Sequence, residues 1–158
     1  MSTTRNTKVI SASPERVYRA FTSPDALEAW LVPGDMTGKV HRFHLREGGG
    51  YEMSLFYPET EKKMQGKTEA KEDRYTARFE ALEPGKRIVE AIRFDTPDAQ
   101  FQGEMTLEVH FEPVGQGSTR VTMIFDNIPE GIRPEDNKKG TELSLQKLEQ
   151  YLLEKIEK

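Results

Sequence analysis

The chain has 158 residues, 32% charged and 35% hydrophobic, with a formal net charge of −4 and no cysteine. A domain near this size buries roughly 70% of its unfolded surface, and eight Phe, five Tyr and one Trp argue against a disordered polar chain, so one domain, 1–158, is expected. Interleaved acids and bases leave no basic stripe for nucleic acid, the missing cysteines remove disulfides and thiolate chemistry, and neither an apolar run of about 18 residues nor a signal-like core at residues 1–6 is present, so no membrane span and a cytosolic location are expected.

Residues 8–11 read as a short strand. Ser13-Pro14-Glu15 then supplies an N-cap, a proline at the first helical position and an acid near the positive helix end. Val17, Ala20 and Phe21 form one buried face. Ser23-Pro24-Asp25 repeats the start signal ahead of Leu27, Trp30 and Leu31, and Pro33-Gly34 closes the second short helix.

From residue 37 to 126 the period changes to alternation, as in an antiparallel meander. Strands are expected at 40–45, 51–56, 74–82, 87–94, 102–112 and 120–125, with a glycine turn at 48–50. Residues 58–73 read as a polar loop or weak edge strand, and the charges of 65–71 are of the kind that discourage edge pairing, which suits a monomer or weak homodimer. A helical period returns at Pro134-Glu135-Asp136, and Leu145, Leu148, Leu152 and Ile156 form its apolar stripe. This order predicts an α+β fold of about six to seven antiparallel strands with a long C-terminal helix across the concave face.

Several strings carry a family resemblance: residues 13–21 with Leu27-Glu28-Ala29-Trp30, Leu45-Arg46-Glu47-Gly48-Gly49-Gly50, residues 79–84 with Arg87-Ile88-Val89, and residues 132–137 leading into Gly140 and 144–148. Over almost its whole length the chain resembles the START-like (SRPBCC) superfamily, in the branch of homologues of the activator of the 90-kDa heat-shock protein ATPase. The resemblance implies a helix-grip fold with a cavity between sheet and final helix, which different members use for lipids, steroids or polyketide-like molecules. Family members often carry a doubled tryptophan where this chain has Trp30-Leu31.

Candidates for the cavity lining, or for the core beneath it, are Trp30, Phe43, Tyr51, Met53, Leu55, Tyr75, Phe79 and Phe94, with His41 and Glu90 as polar members. Glu90 has two readings. If Ile88, Ile92 and Phe94 face inward it stands in the cavity, where burial raises a carboxyl pKa; the reading preferred from the residues is the opposite register, with Val89 and Ala91 inward and Glu90 in water. His41 and His44 point to opposite faces of a regular strand and share no ion unless a bulge intervenes, and His110 reads as a solvated surface histidine. Arg46 and Arg74 are read as surface ion-pair residues. Gly140 within the final helix suggests close approach to the sheet or room for a ligand. No metal or cofactor is implied, and no nucleophile motif occurs.

Three functions compete. The first is a binding module for a small hydrophobic molecule. The second, from the resemblance, is a co-chaperone-like module with a chaperone partner. The third is a cyclase- or hydrolase-type enzyme moving protons through Glu90 or His41.

Overall fold

The computed structural model describes residues 2–32, 36–56, 72–96 and 98–156. Its order is β1 (Ser2–Ile10), α1 (Pro14–Phe21), α2 (Pro24–Trp30), β2 (Thr37–His44), β3 (Gly50–Phe56), β4 (Glu72–Glu83), β5 (Arg87–Phe94), a 3-10 turn (Ala99–Phe101), β6 (Met105–Val114), β7 (Ser118–Ile128) and α3 (Pro134–Ile156). The seven strands form one antiparallel sheet in the order β1-β7-β6-β5-β4-β3-β2. This is the α+β helix-grip arrangement, with the long final helix expected from the leucine stripe.

The two short helices begin where their caps predict. Ser13 Oγ accepts from the Arg16 backbone N–H at 3.2 Å and Ser23 Oγ from that of Ala26 at 3.4 Å, each followed by proline at the first helical position. Their inward faces place Val17, Phe21, Leu27 and Trp30 in the core against the concave side of the sheet. Full burial of such side chains contributes about 1.5–3 kcal/mol each. On the opposite side of the sheet, Arg78 and Arg93 both reach Glu104 while Arg87 reaches Glu108. Exposed pairs of this kind add little to stability, and their main effect is to mark that face as the solvated one.

Several strand ends depart from the sequence expectation: β6 begins at Met105 and not at 102, and β4 takes in residues 72–73 of the segment read as a loop or weak edge strand. β1 starts at Ser2, not at residue 8, because the polar segment ahead of residue 8 also pairs with β7, from Ser2↔Ile128 to Ile10↔Thr119. Its inward residues are polar for a local reason: Thr4 Oγ1 donates to Asn137 Oδ1 and Asn6 Nδ2 to the Lys138 carbonyl, both at the start of α3. β7 runs to Ile128, beyond the expected end at 125. The helix closure read at Pro33-Gly34 and the segment 58–71 lie outside the described residues.

Gly50 opens β3 with φ +153°, and a Cβ there would collide with the Ala77 carbonyl oxygen. The backbones of β3 and β4 meet here at a distance only glycine allows. Gly50→Ala is therefore expected to lower stability by on the order of 1–3 kcal/mol in urea denaturation; an unchanged midpoint would show that the two strands separate freely at this point.

Candidate functional site

Between the sheet and the first half of α3 lies a cavity of about 480 Å³. That is within the ordinary range of small-molecule sites, roughly 300–1,000 Å³. Strands β3 to β7 form its floor. Tyr51 and Leu55 come from β3, Tyr75 from β4, Glu90, Ile92 and Phe94 from β5, Met105 and Leu107 from β6, and Met123 and Phe125 from β7. They converge because antiparallel register places them on one face: Met53↔Tyr75, Ala77↔Ile92, Phe79↔Glu90 and Glu90↔Leu107 are paired neighbours.

Glu90 thus faces inward, against the preferred reading of its strand. Its neighbours decided the matter: the apolar parity of β6, with Met105, Leu107 and Val109 buried, pairs with Ile92, Glu90 and Ile88. A bulge in β4 between Phe79 and Ala81 then shifts the pairing. On the other side Val89 is only half-buried.

The roof is α3. Asn137, Gly140, Thr141 and Ser144 line the cavity at spacings of three and four, one small or polar stripe that gives way to the buried Leu145, Leu148 and Leu152 farther along. The exposed Arg133 and Asp136 mark the mouth, together with Gly131 and Ile132 of the preceding loop. This loop is held by the Gly131 N–H donating to the Gln100 carbonyl at 2.8 Å, with the Phe101 ring packed where a Gly131 side chain would otherwise sit.

A short polar chain crosses the floor. The Tyr51 hydroxyl donates to Glu90 Oε1 at 3.2 Å and lies 3.3 Å from the Tyr75 hydroxyl, which is also placed to donate to the Met53 sulfur at 3.5 Å. Tyr51 and Tyr75 meet edge to face, and Tyr75 meets Phe94 likewise. Burial pushes the Glu90 carboxyl up to about 7, against a smaller downward pull from the Tyr51 hydrogen bond. The same burial raises both tyrosines, so they remain hydroxyl donors at neutral pH. A carboxyl poised there can accept, donate or exchange a proton with a bound molecule.

Of the residues singled out from the sequence, Tyr51, Leu55, Tyr75, Glu90 and Phe94 line the cavity. The others do not. Trp30 is fully buried, its ring 4.6 Å from Phe21 and its Nε1 donating to the Ala20 carbonyl at 2.8 Å. Phe43 and Phe79 stack on and beside Tyr51 behind the lining, and Met53 lies beneath it. His41 is the extra residue of a bulge between Val40 and Arg42; it sits on the exposed side, where Nε2 is 2.8 Å from Ser54 Oγ. That bulge also removes the regular alternation assumed between His41 and His44. Gly140 does line the cavity. Sequence reasoning missed Met105, Leu107, Met123 and Phe125 as lining although their alternation was visible, and beyond Gly140 it missed the roof residues Asn137, Thr141 and Ser144, whose signal was spacing without hydrophobicity.

Among the described residues no group of three or more acidic or histidine side chains could hold a metal, and no helix is long and apolar enough to cross a membrane. A family model described as Activator of Hsp90 ATPase homolog 1-like protein matches residues 11–153. The chain belongs to that family. Among solved structures, the Activator of Hsp90 ATPase homolog 1-like chain is similar to protein CV1439 from Chromobacterium violaceum, at 32% identity and a TM-score of 0.82, over 96% of this chain and 97% of that one. Protein NE0264 from Nitrosomonas europaea shares the fold at 20% identity and TM-score 0.76, over 99% and 97% of the two chains. The AHSA1-like protein from Aeromonas hydrophila does so at 18% identity and TM-score 0.67, over 94% and 92%. No curated protein matches.

Proposed function

We propose that this member of the Activator of Hsp90 ATPase homolog 1-like family is a binding protein for one small, mostly apolar molecule held between the sheet and α3. The observation that carries the reading is the cavity of about 480 Å³, whose apolar floor from β5, β6 and β7 surrounds a single buried carboxyl. Apolar walls supply affinity through burial, and a few fixed polar groups supply orientation. Met105 and Met123 add side chains that adapt to different shapes.

Native mass spectrometry of protein purified from the cells that make it tests this directly. The expected result is one species bound near one to one. Gly140→Leu is the matched control, since it adds a side chain to the roof and raises helix propensity by about 1 kcal/mol. It should stay folded and lose the bound species at least tenfold. Wild-type protein that comes out empty and refuses a panel of lipids and polyketide-like compounds would count against the cavity, and a chaperone-binding role through the outer surface would then take its place.

A further inference from the structure

The deep part of the cavity has an unequal supply of hydrogen-bonding groups. The Tyr51 hydroxyl proton is directed at Glu90 Oε1, and that of Tyr75 has Met53 sulfur and the Tyr51 oxygen as its nearby acceptors. In the roof, the Ser144 hydroxyl donates to the Leu31 carbonyl at 2.6 Å and the Thr141 hydroxyl to that of Asn137 at 2.8 Å. The hydroxyl protons of the lining are thus engaged with the protein's own acceptors. What is left over is acceptor capacity, above all the second oxygen of Glu90, whose one hydrogen-bond partner among the described residues is Tyr51.

Charge follows the same pattern. Glu90 is 2% exposed; among the described residues it forms no ion pair, and the one cation of the lining is Arg133, which stands exposed at the mouth beside Glu135, 3.1 Å away. The rings of Tyr51, Tyr75 and Phe94 line the cavity with Glu90. A carboxylate in a lining of aromatic rings and lacking a cation suits a positively charged nitrogen, which gains a charge-assisted hydrogen bond in a desolvated site. An anionic head group would meet a buried like charge wherever Glu90 is ionised.

Resting on the cavity-binding reading, we infer that the ligand carries a protonated amine on an apolar body, with the nitrogen placed against Glu90 and the body along Met105, Leu107 and Met123. Among the described residues the groups that bear on Glu90 are Tyr51 from β3 and Tyr75 from β4, with Arg133 and Asp136 at the mouth; β6 and β7 present only apolar side chains to the cavity. Glu90 is therefore the group whose ionisation couples to binding near neutral pH.

The test compares phenylbutylamine, phenylbutanol and phenylbutyrate, which share a body and differ at the head, by calorimetry on the wild-type protein. The amine should bind best. Its affinity should rise about tenfold between about pH 6 and about pH 8, as Glu90 ionises while the amine stays protonated. Glu90→Gln, which keeps an acceptor for Tyr51, should remove that rise and the advantage over the alcohol. Alcohol or carboxylate binding more tightly, or an amine affinity indifferent to pH and to Glu90→Gln, overturns the inference while leaving the cavity reading intact. Failure of all three compounds overturns both.

Discussion

Replacing Trp30 by alanine is expected to destabilise the protein by about 3–5 kcal/mol, the largest single-residue effect foreseen outside the cavity. The indole is fully buried, packs edge to face on Phe21, and closes α2 onto α1 through its hydrogen bond to the Ala20 carbonyl. Truncation leaves a void and an unpaired carbonyl at once, and the two penalties add. Phe21 also meets Phe111 on β6 with ring centroids 5.3 Å apart, so the loss should spread to the helix-sheet seam. Urea denaturation of Trp30→Ala and Trp30→Phe separates the contributions, with the phenylalanine variant retaining more of the stability. A change under about 1 kcal/mol in the alanine variant would mean that this seam is not packed as described.

A second large effect concerns pH. The Glu90 carboxyl titrates at about 7 in the folded protein against 4.5 for an ordinary glutamate. Through that window the folded state holds a proton that the unfolded chain has released, so stability falls as pH rises. The contribution is fully present below about 4.5 and gone above about 7, a loss on the order of 3 kcal/mol. Glu90→Gln has no proton to lose. Its stability relative to wild type should therefore increase by that amount between about pH 4 and about pH 8, measured by denaturant unfolding of both proteins at each pH. Parallel pH profiles for the two would show that Glu90 is solvated, and would remove the buried carboxyl from the site.

The contrast between what was legible in the residues and what was not has a consistent physical basis. Capping serines followed by proline placed α1 and α2 at Pro14 and Pro24, because those signals act within a few residues. Alternation revealed every strand from β2 to β7, but not which face of β5 turns inward. That choice depends on partners: Phe79 on one side, Leu107 on the other, and a bulge in β4 that no local pattern announces. β1 began early for a similar reason, since Thr4 and Asn6 carry no apolar strand signal until the start of α3 is placed beside them. Within the site, the aromatic floor of Tyr51, Tyr75 and Phe94 was readable from composition and parity. The roof was readable only at Gly140, because Asn137, Thr141 and Ser144 carry no hydrophobic signal and are notable for the space they leave.

The two halves of α3 are fastened to the rest of the molecule by different means. Beyond Ser144 the helix is anchored by Leu145, Leu148 and Leu152 in the core, by Lys147 Nζ donating to the Val32 carbonyl at 2.7 Å, and by the Arg16 guanidinium at the Leu152 carbonyl. Before Ser144 the ties to β1 are polar, from Thr4, Asn6 and Lys138, and β1 is an edge strand. Water can replace those bonds one for one, whereas it cannot replace buried leucine contacts. The roof is thus a low-stability segment riding on a high-stability one. On the binding reading proposed above, a molecule held beneath it would exchange at the rate of a local opening, with a residence time set apart from the lifetime of the fold.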